Sequence, residues 1–172
     1  MKRSRHSSAI RLSFRFMYWS AEGVIERAEL DGSNRRKVTE LGTTFFGDPI
    51  DAKGLTLDVD NNRLYFVSYH LYALLYIDLS STQLRLRPVH TLIQQFWYFY
   101  GPFGIAVDDQ YVYWTEYLAF GYVFRRSKNL HDDGVEVIVS GTYEPKGIAV
   151  KKGNLTPNRK YCISFVNVDL SF

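Results

Sequence analysis

The sequence predicts an all-β chain, specifically a partial β-propeller of about three four-stranded blades. Three observations carry that expectation. First, a short motif recurs. Tyr113-Trp114-Thr115-Glu116 follows Gly104-Ile105-Ala106-Val107-Asp108, Tyr65-Phe66-Val67-Ser68 follows Gly54-Leu55-Thr56-Leu57-Asp58, and Tyr18-Trp19-Ser20 stands one period upstream. The tyrosines at 18, 65 and 113 are 47 and 48 residues apart, a period that belongs to propellers and solenoids. Second, each full period holds four strand-like segments, the content of a propeller blade. Third, no helical periodicity competes over any comparable length.

Taken in order, residues 1–13 form a basic leader expected to lack order, with Lys2, Arg3, Arg5 and Arg11 and no acid. Strand signals begin at Phe14, where Phe14, Phe16 and Tyr18 alternate with Arg15, Met17 and Trp19. Residues 24–30 read as the next strand. Asp31-Gly32 reads as a tight type I′ hairpin turn, because both of its central residues need positive φ. Residues 36–39 read as the returning strand. The second repeat gives strands at 54–58, 63–69, 74–79 and 87–92, with Asp60-Asn61-Asn62 as its first turn. The third gives strands at 104–108, 111–116, 122–126 and 135–140. The apolar run Ile105-Ala106-Val107 suits an inner strand covered on both faces.

Composition excludes several function classes. The 172 residues are 46% hydrophobic and 23% charged, as in a globular domain, while Tyr 13, Phe 12 and Trp 3 make aromatics the outlier. The net charge of +3 comes from the leader, because the 157 residues after Arg15 hold 16 basic and 18 acidic groups. The repeat region therefore shows no basic patch for nucleic acid. No apolar run has the length of a membrane span or of a signal peptide's core. The single cysteine, Cys162, allows no internal disulfide and no cysteine-based zinc site. Asn154-Leu155-Thr156 is a glycosylation sequon weakened by Pro157.

These repeats, together with the segment from Ile25 to Ser33, resemble the Tyr-Trp-Thr-Asp repeat, the class B repeat of the low-density lipoprotein receptor and its relatives. The resemblance covers roughly residues 16–162. It implies a six-bladed propeller of which this chain carries the C-terminal half. A Gly-Leu-Thr-Leu-Asp blade followed by one preceded by Gly101-Pro102-Phe103 looks like the family's last two blades. On this reading residues 14–153 are the partial propeller, with Pro145-Lys146-Gly147-Ile148-Ala149-Val150 as its closing strand. That strand is expected to become the inner strand of a first blade. Residues 154–172 are then a linker and the truncated start of an EGF-like module. A competing reading makes Tyr161-Cys162-Ile163-Ser164 a decayed fourth repeat, since Tyr161 stands 48 residues after Tyr113. Half a propeller exposes apolar faces and unpaired edges, so the isolated chain is expected to be unstable or to aggregate.

The repeat residues Tyr18, Trp19, Tyr65, Phe66, Tyr113, Trp114 and Thr115 are assigned a structural role, since the resemblance implies that they pack and hydrogen-bond between blades. Ala21, Ser68 and Glu116 stand where the family has Asp, which loses or lengthens an acceptor in each blade. Binding is expected on the face built by the loops joining strands two and three and those joining one blade to the next. Aromatics gather in those loops: Phe45 and Phe46; Phe96, Trp97, Tyr98, Phe99 and Tyr100 with Phe103; Tyr143; Tyr69 and Tyr72; and Tyr117 with Phe120. Patches rich in aromatics and poor in charge are where interface hot spots lie, although some of these rings serve only to cover blade rims.

Several relatives carry Trp-Pro-Asn before the Gly-Leu-Thr-Leu-Asp strand, with the Asn on the ligand face. Here Asp51-Ala52-Lys53 replaces it after an insertion around residues 46–50, so partner choice differs and Lys53 reads as a solvated rim charge. His70, His90 and His131 read as lone, exposed histidines. No nucleophile elbow, zincin helix or phosphate loop is present, and Asp58 and Asp108 read as turn residues. No catalytic residue, cofactor or metal is expected.

The resemblance implies an extracellular, non-catalytic module that binds protein ligands. Those ligands would be lipoprotein-, Wnt- or matrix-related, in an endocytic receptor or a Wnt co-receptor, at the outer face of the plasma membrane or secreted. Any membrane contact would come through parts of a parent protein outside this chain. The alternatives are a nidogen-like structural propeller of the basement membrane and, less favoured, a propeller lactonase.

Overall fold

Alternating apolar and polar residues build antiparallel sheets in the computed structural model, which describes residues 8–10, 16–80, 86–94, 101–116, 121–132, 134–152 and 161–166. Fourteen strands are present among them. The first sheet takes β1 (Ser8–Ile10), β2 (Phe16–Ala21), β3 (Val24–Glu29) and β4 (Arg36–Glu40) in sequence order. The second takes β5 (Gly54–Asp58), β6 (Arg63–Ser68), β7 (Ala73–Asp78) and β8 (His90–Gln94). The third takes β9 (Pro102–Val107), β10 (Tyr111–Glu116), β11 (Tyr122–Ser127) and β12 (Val135–Ser140). A last pair, β13 (Gly147–Lys152) and β14 (Tyr161–Val166), stands alone. The inner strands β1, β5, β9 and β13 follow one another side by side.

The Tyr-Trp motif follows from strand geometry, in which neighbouring side chains point to opposite faces. Tyr18 of the first sheet and Phe66 of the second share one buried cluster with Ile25, Val38, Leu64 and Ile77. Tyr65 of the second and Trp114 of the third share the other, with Val67, Leu74, Ile105 and Phe124. The first aromatic of the first two motifs thus faces the next sheet, and the second aromatic of the last two faces the previous one. The middle sheet is buried on both sides, and Leu64, Tyr65, Phe66 and Val67 are inaccessible to solvent.

Four sequence expectations need correction. The leader contributes Ser8–Ile10 as a strand beside β2, because Ala9 pairs with Tyr18 and gives the first sheet an inner strand. That place is therefore not taken by residues 147–152, which pair with β14 instead. Residues 161–166, expected in a linker and module start, run antiparallel to β13, and Cys162 pairs with Lys151 as in a fourth repeat. The tight turn with two positive φ values is Glu22-Gly23, closing β2 onto β3, and not Asp31-Gly32. The β3–β4 connection is longer, with Arg27 pairing to Arg36 and the Gly32 N–H donating to the Glu29 carbonyl.

Candidate functional site

In each four-stranded sheet the antiparallel order puts the strand-two-to-three turn and the exit of strand four at the same end. The connections at 22–23, 41–53, 69–72 and 141–146 lie at these ends.

The longest described connection, residues 41–53, is a built hairpin. Thr43 and Pro49 form an isolated bridge. Above it the Thr44 N–H donates to the Asp48 carbonyl, the Gly47 N–H to the Thr44 carbonyl, and the Asp48 N–H to Thr44 Oγ1. Gly47 takes φ +86°, a conformation that favours glycine. Below the bridge, the Ile50 N–H donates to the Gly42 carbonyl and the Leu41 N–H to that of Gly23. Phe45 and Phe46 form the tip, 98% and 87% exposed, in edge contact with ring centroids 5.5 Å apart. Tyr143, at 82% exposure, is the corresponding ring after the third sheet.

The other predicted rings divide. Tyr69 is 37% exposed and touches Tyr72 and His70. Tyr72, with φ +47°, leans on the cluster between the second and third sheets, so it covers a rim as well as facing out. Phe103 belongs to β9 and not to a loop, and is half-buried there. Phe96, Trp97, Tyr98, Phe99, Tyr100, Tyr117 and Phe120 lie outside the described residues.

A pocket of about 200 Å³ sits at the root of the hairpin, between the first and second sheets. Ser20, Ala21, Glu22, Gly23, Leu41, Pro49, Asp51, Ala52 and His70 line it. Ser20, third residue of its motif, donates its hydroxyl to the Ala52 carbonyl at 2.8 Å and fixes this wall across the two sheets. Asp51 meets two side chains: Lys53 Nζ at 2.6 Å and His70 Nδ1 at 3.2 Å. Lys53 is therefore tied down and not a free rim charge, and His70 is not alone. Sequence reasoning missed this constellation because His70 comes from the β6–β7 turn, two strands further along the chain. His90 stacks on Tyr76 with centroids 5.0 Å apart, and His131 is exposed.

Tyr18, Trp19, Tyr113 and Trp114 are buried, and Thr115 Oγ1 accepts the Gly104 N–H at 2.8 Å. At the fourth place of the motif, Ser68 Oγ accepts the Leu71 N–H at the β6–β7 turn, and Glu116 is buried. Asp108 acts as a turn residue: Oδ1 accepts from the Gln110 and Tyr111 amides and Oδ2 from the Tyr113 hydroxyl. Among the described residues no three His, Cys, Asp or Glu side chains are grouped to hold a metal.

No protein-family model matches the chain. Solved structures do. A chain of a nidogen/laminin complex is similar over 85% of this chain and 52% of its own length, with a TM-score of 0.68 at 16% identity. Virginiamycin B lyase from Staphylococcus aureus is similar over 84% and 44%, with a TM-score of 0.59 at 14% identity. This chain is a partial β-propeller. Hydrazine synthase from Kuenenia stuttgartiensis is a further structural neighbour, over 82% and 38%, with a TM-score of 0.57 at 13% identity. The propeller here spans about half of the first of these chains and less of the other two, and at such identities the likeness is one of fold. The sheets are its blades, and the hairpin and pocket belong to the loop face of blades one and two.

Proposed function

We propose that this partial propeller is a non-catalytic, extracellular module that binds a protein ligand through its loop face. Phe45 and Phe46 are the leading contacts, joined by Tyr69 and Tyr143, and Phe96, Trp97, Tyr98, Tyr100, Tyr117 and Phe120 are further candidate contacts. The observation that carries the reading is the pair of phenylalanines held out by a hairpin with its own hydrogen bonds. Two large rings left in water on a pre-ordered loop lose little conformational entropy on binding and bury much apolar area.

Two settings suit this module. The Tyr-Trp motifs support a lipoprotein-receptor-related receptor of the endocytic or Wnt co-receptor type. The fold likeness to a chain of a nidogen/laminin complex supports a matrix protein equally well. Surface plasmon resonance over immobilised laminin, low-density lipoprotein and a Wnt protein tests both. One surface is expected to retain the chain, and the double variant Phe45→Ser, Phe46→Ser to weaken that binding by about tenfold or more. The variant should melt like the parent, since neither ring packs in a core. Absence of binding to all three surfaces, or binding that the double variant leaves unchanged, overturns the proposal.

A further inference from the structure

Resting on that reading of the loop face, we propose that the pocket between blades one and two receives a lysine or arginine side chain of the partner. Its volume of about 200 Å³ suits one side chain, since pockets for drug-sized ligands begin near about 300 Å³. Ala21, Gly23, Leu41, Pro49 and Ala52 supply apolar walls, while Glu22 and Asp51 are the acidic residues of the lining. No hydrogen bond or ion pair engages the Glu22 carboxylate among the described residues.

Charge complementarity selects the occupant. A purely apolar side chain would bring apolar surface beside Glu22 and offer its carboxylate no countercharge. A long basic side chain satisfies both halves of the pocket. Its methylenes lie along the apolar walls and its charged head reaches the carboxylate at the mouth. An acidic side chain is repelled. Asp51 is less available than Glu22, because Lys53 and His70 already face its two oxygens. Glu22 therefore carries the recognition, and Asp51 holds the wall that the stem lies on. The hairpin that lines the pocket with Pro49 also carries Phe45 and Phe46, so the partner is expected to place apolar surface beside its basic residue.

The test is an NMR titration of the ¹⁵N-labelled chain with two blocked pentapeptides, acetyl-Gly-Ala-Lys-Ala-Gly-amide and its norleucine counterpart. Saturable shifts are expected at Gly23, Ala52 and His70 with the lysine peptide, and binding about tenfold weaker with norleucine. Glu22→Gln should remove that difference, and because Glu22 is exposed it should leave the rest of the spectrum in place. Equal affinity for the two peptides, lysine binding that survives Glu22→Gln, or no localised shifts overturns the pocket. If the peptide fails while a protein ligand binds through Phe45 and Phe46, the pocket assignment alone falls. If the lysine peptide binds but none of the three protein surfaces does, the pocket stands and the function proposed above falls.

Discussion

Asp58 and Lys128 show how a single residue can tie blades together. Lys128 Nζ lies 2.6 Å from Asp58 Oδ2, and the two side chains are 7% and 3% exposed. The same carboxylate accepts the amide and the side-chain N–H of Asn61, so the turn after β5 and the segment after β11 share one anchor. Removing one partner leaves a buried charge unpaired, which costs about 3–5 kcal/mol. Asp58→Ala should lower the urea unfolding free energy by about that amount, and the double change Asp58→Leu, Lys128→Met by clearly less. Equal losses would mean that the pair itself carries little. The tyrosines add a pH dependence. Burial, then the hydrogen bond donated to Asp108, pushes the Tyr113 hydroxyl well above the ordinary tyrosine range, and burial raises Tyr65. The folded chain holds these protons after the unfolded chain has lost them, so the stabilisation is complete below about pH 10 and declines as pH rises beyond it. Urea midpoints taken between about pH 9 and pH 11 should fall, and Tyr113→Phe should flatten the slope.

Among elements, the inner strands set the closeness of the blades. A Cβ at Gly54 would stand 2.5 Å from the Phe103 carbonyl oxygen, and one at Gly104 would stand 2.9 Å from that of Lys146. The obstacle is backbone of the next inner strand, or of the residue just before it, which cannot rotate away as a side chain would. Gly54 of β5 and Gly104 of β9 are thus packing requirements. Gly54→Ala or Gly104→Ala should destabilise by about 1–3 kcal/mol or more. Parental stability in either variant would show that β5 and β9, or β9 and β13, do not approach this closely. The outer strands are tied more loosely, by polar bridges. Thr39 Oγ1 donates to the Arg87 carbonyl between blades one and two, and Arg126 donates to the Leu92 carbonyl between blades two and three.

For the whole molecule, the consequence is a gradient of protection centred on blade two. Its strands β6 and β7 are covered on both faces, whereas β4 and β12 lie at sheet edges, with Val137 of β12 56% exposed. Opening a middle blade requires separating two apolar interfaces, while an outer strand can fray alone. Hydrogen exchange read by mass spectrometry should therefore be slowest in peptides covering residues 63–78 and faster in those covering 36–40 and 135–140. Outer strands protected as long as β6 would contradict this account. The loop face crosses the same gradient. Its hairpin springs from between blades one and two, where Ser20 and Ala52 hold the root, so a mobile tip would still stand on a stable base.

By itself the sequence determined the strands, their fourfold grouping and the Tyr-Trp registration, because alternation and a 48-residue period are local or regular signals. It also placed Phe45 and Phe46 among the aromatics of the candidate loops. Only the tertiary structure decided which of the rim aromatics are free, as Tyr72 and Phe103 resemble Phe45 in composition but lie against or within the sheets. It decided too that Ser8–Ile10 joins blade one, that 161–166 pairs with β13, and that Asp51 meets His70. Lys128 reaches Asp58 across 70 residues of chain, and the repeat that marks Asp58 leaves no mark on Lys128. Such pairings depend on which blades become neighbours, and the pattern within one repeat cannot specify them.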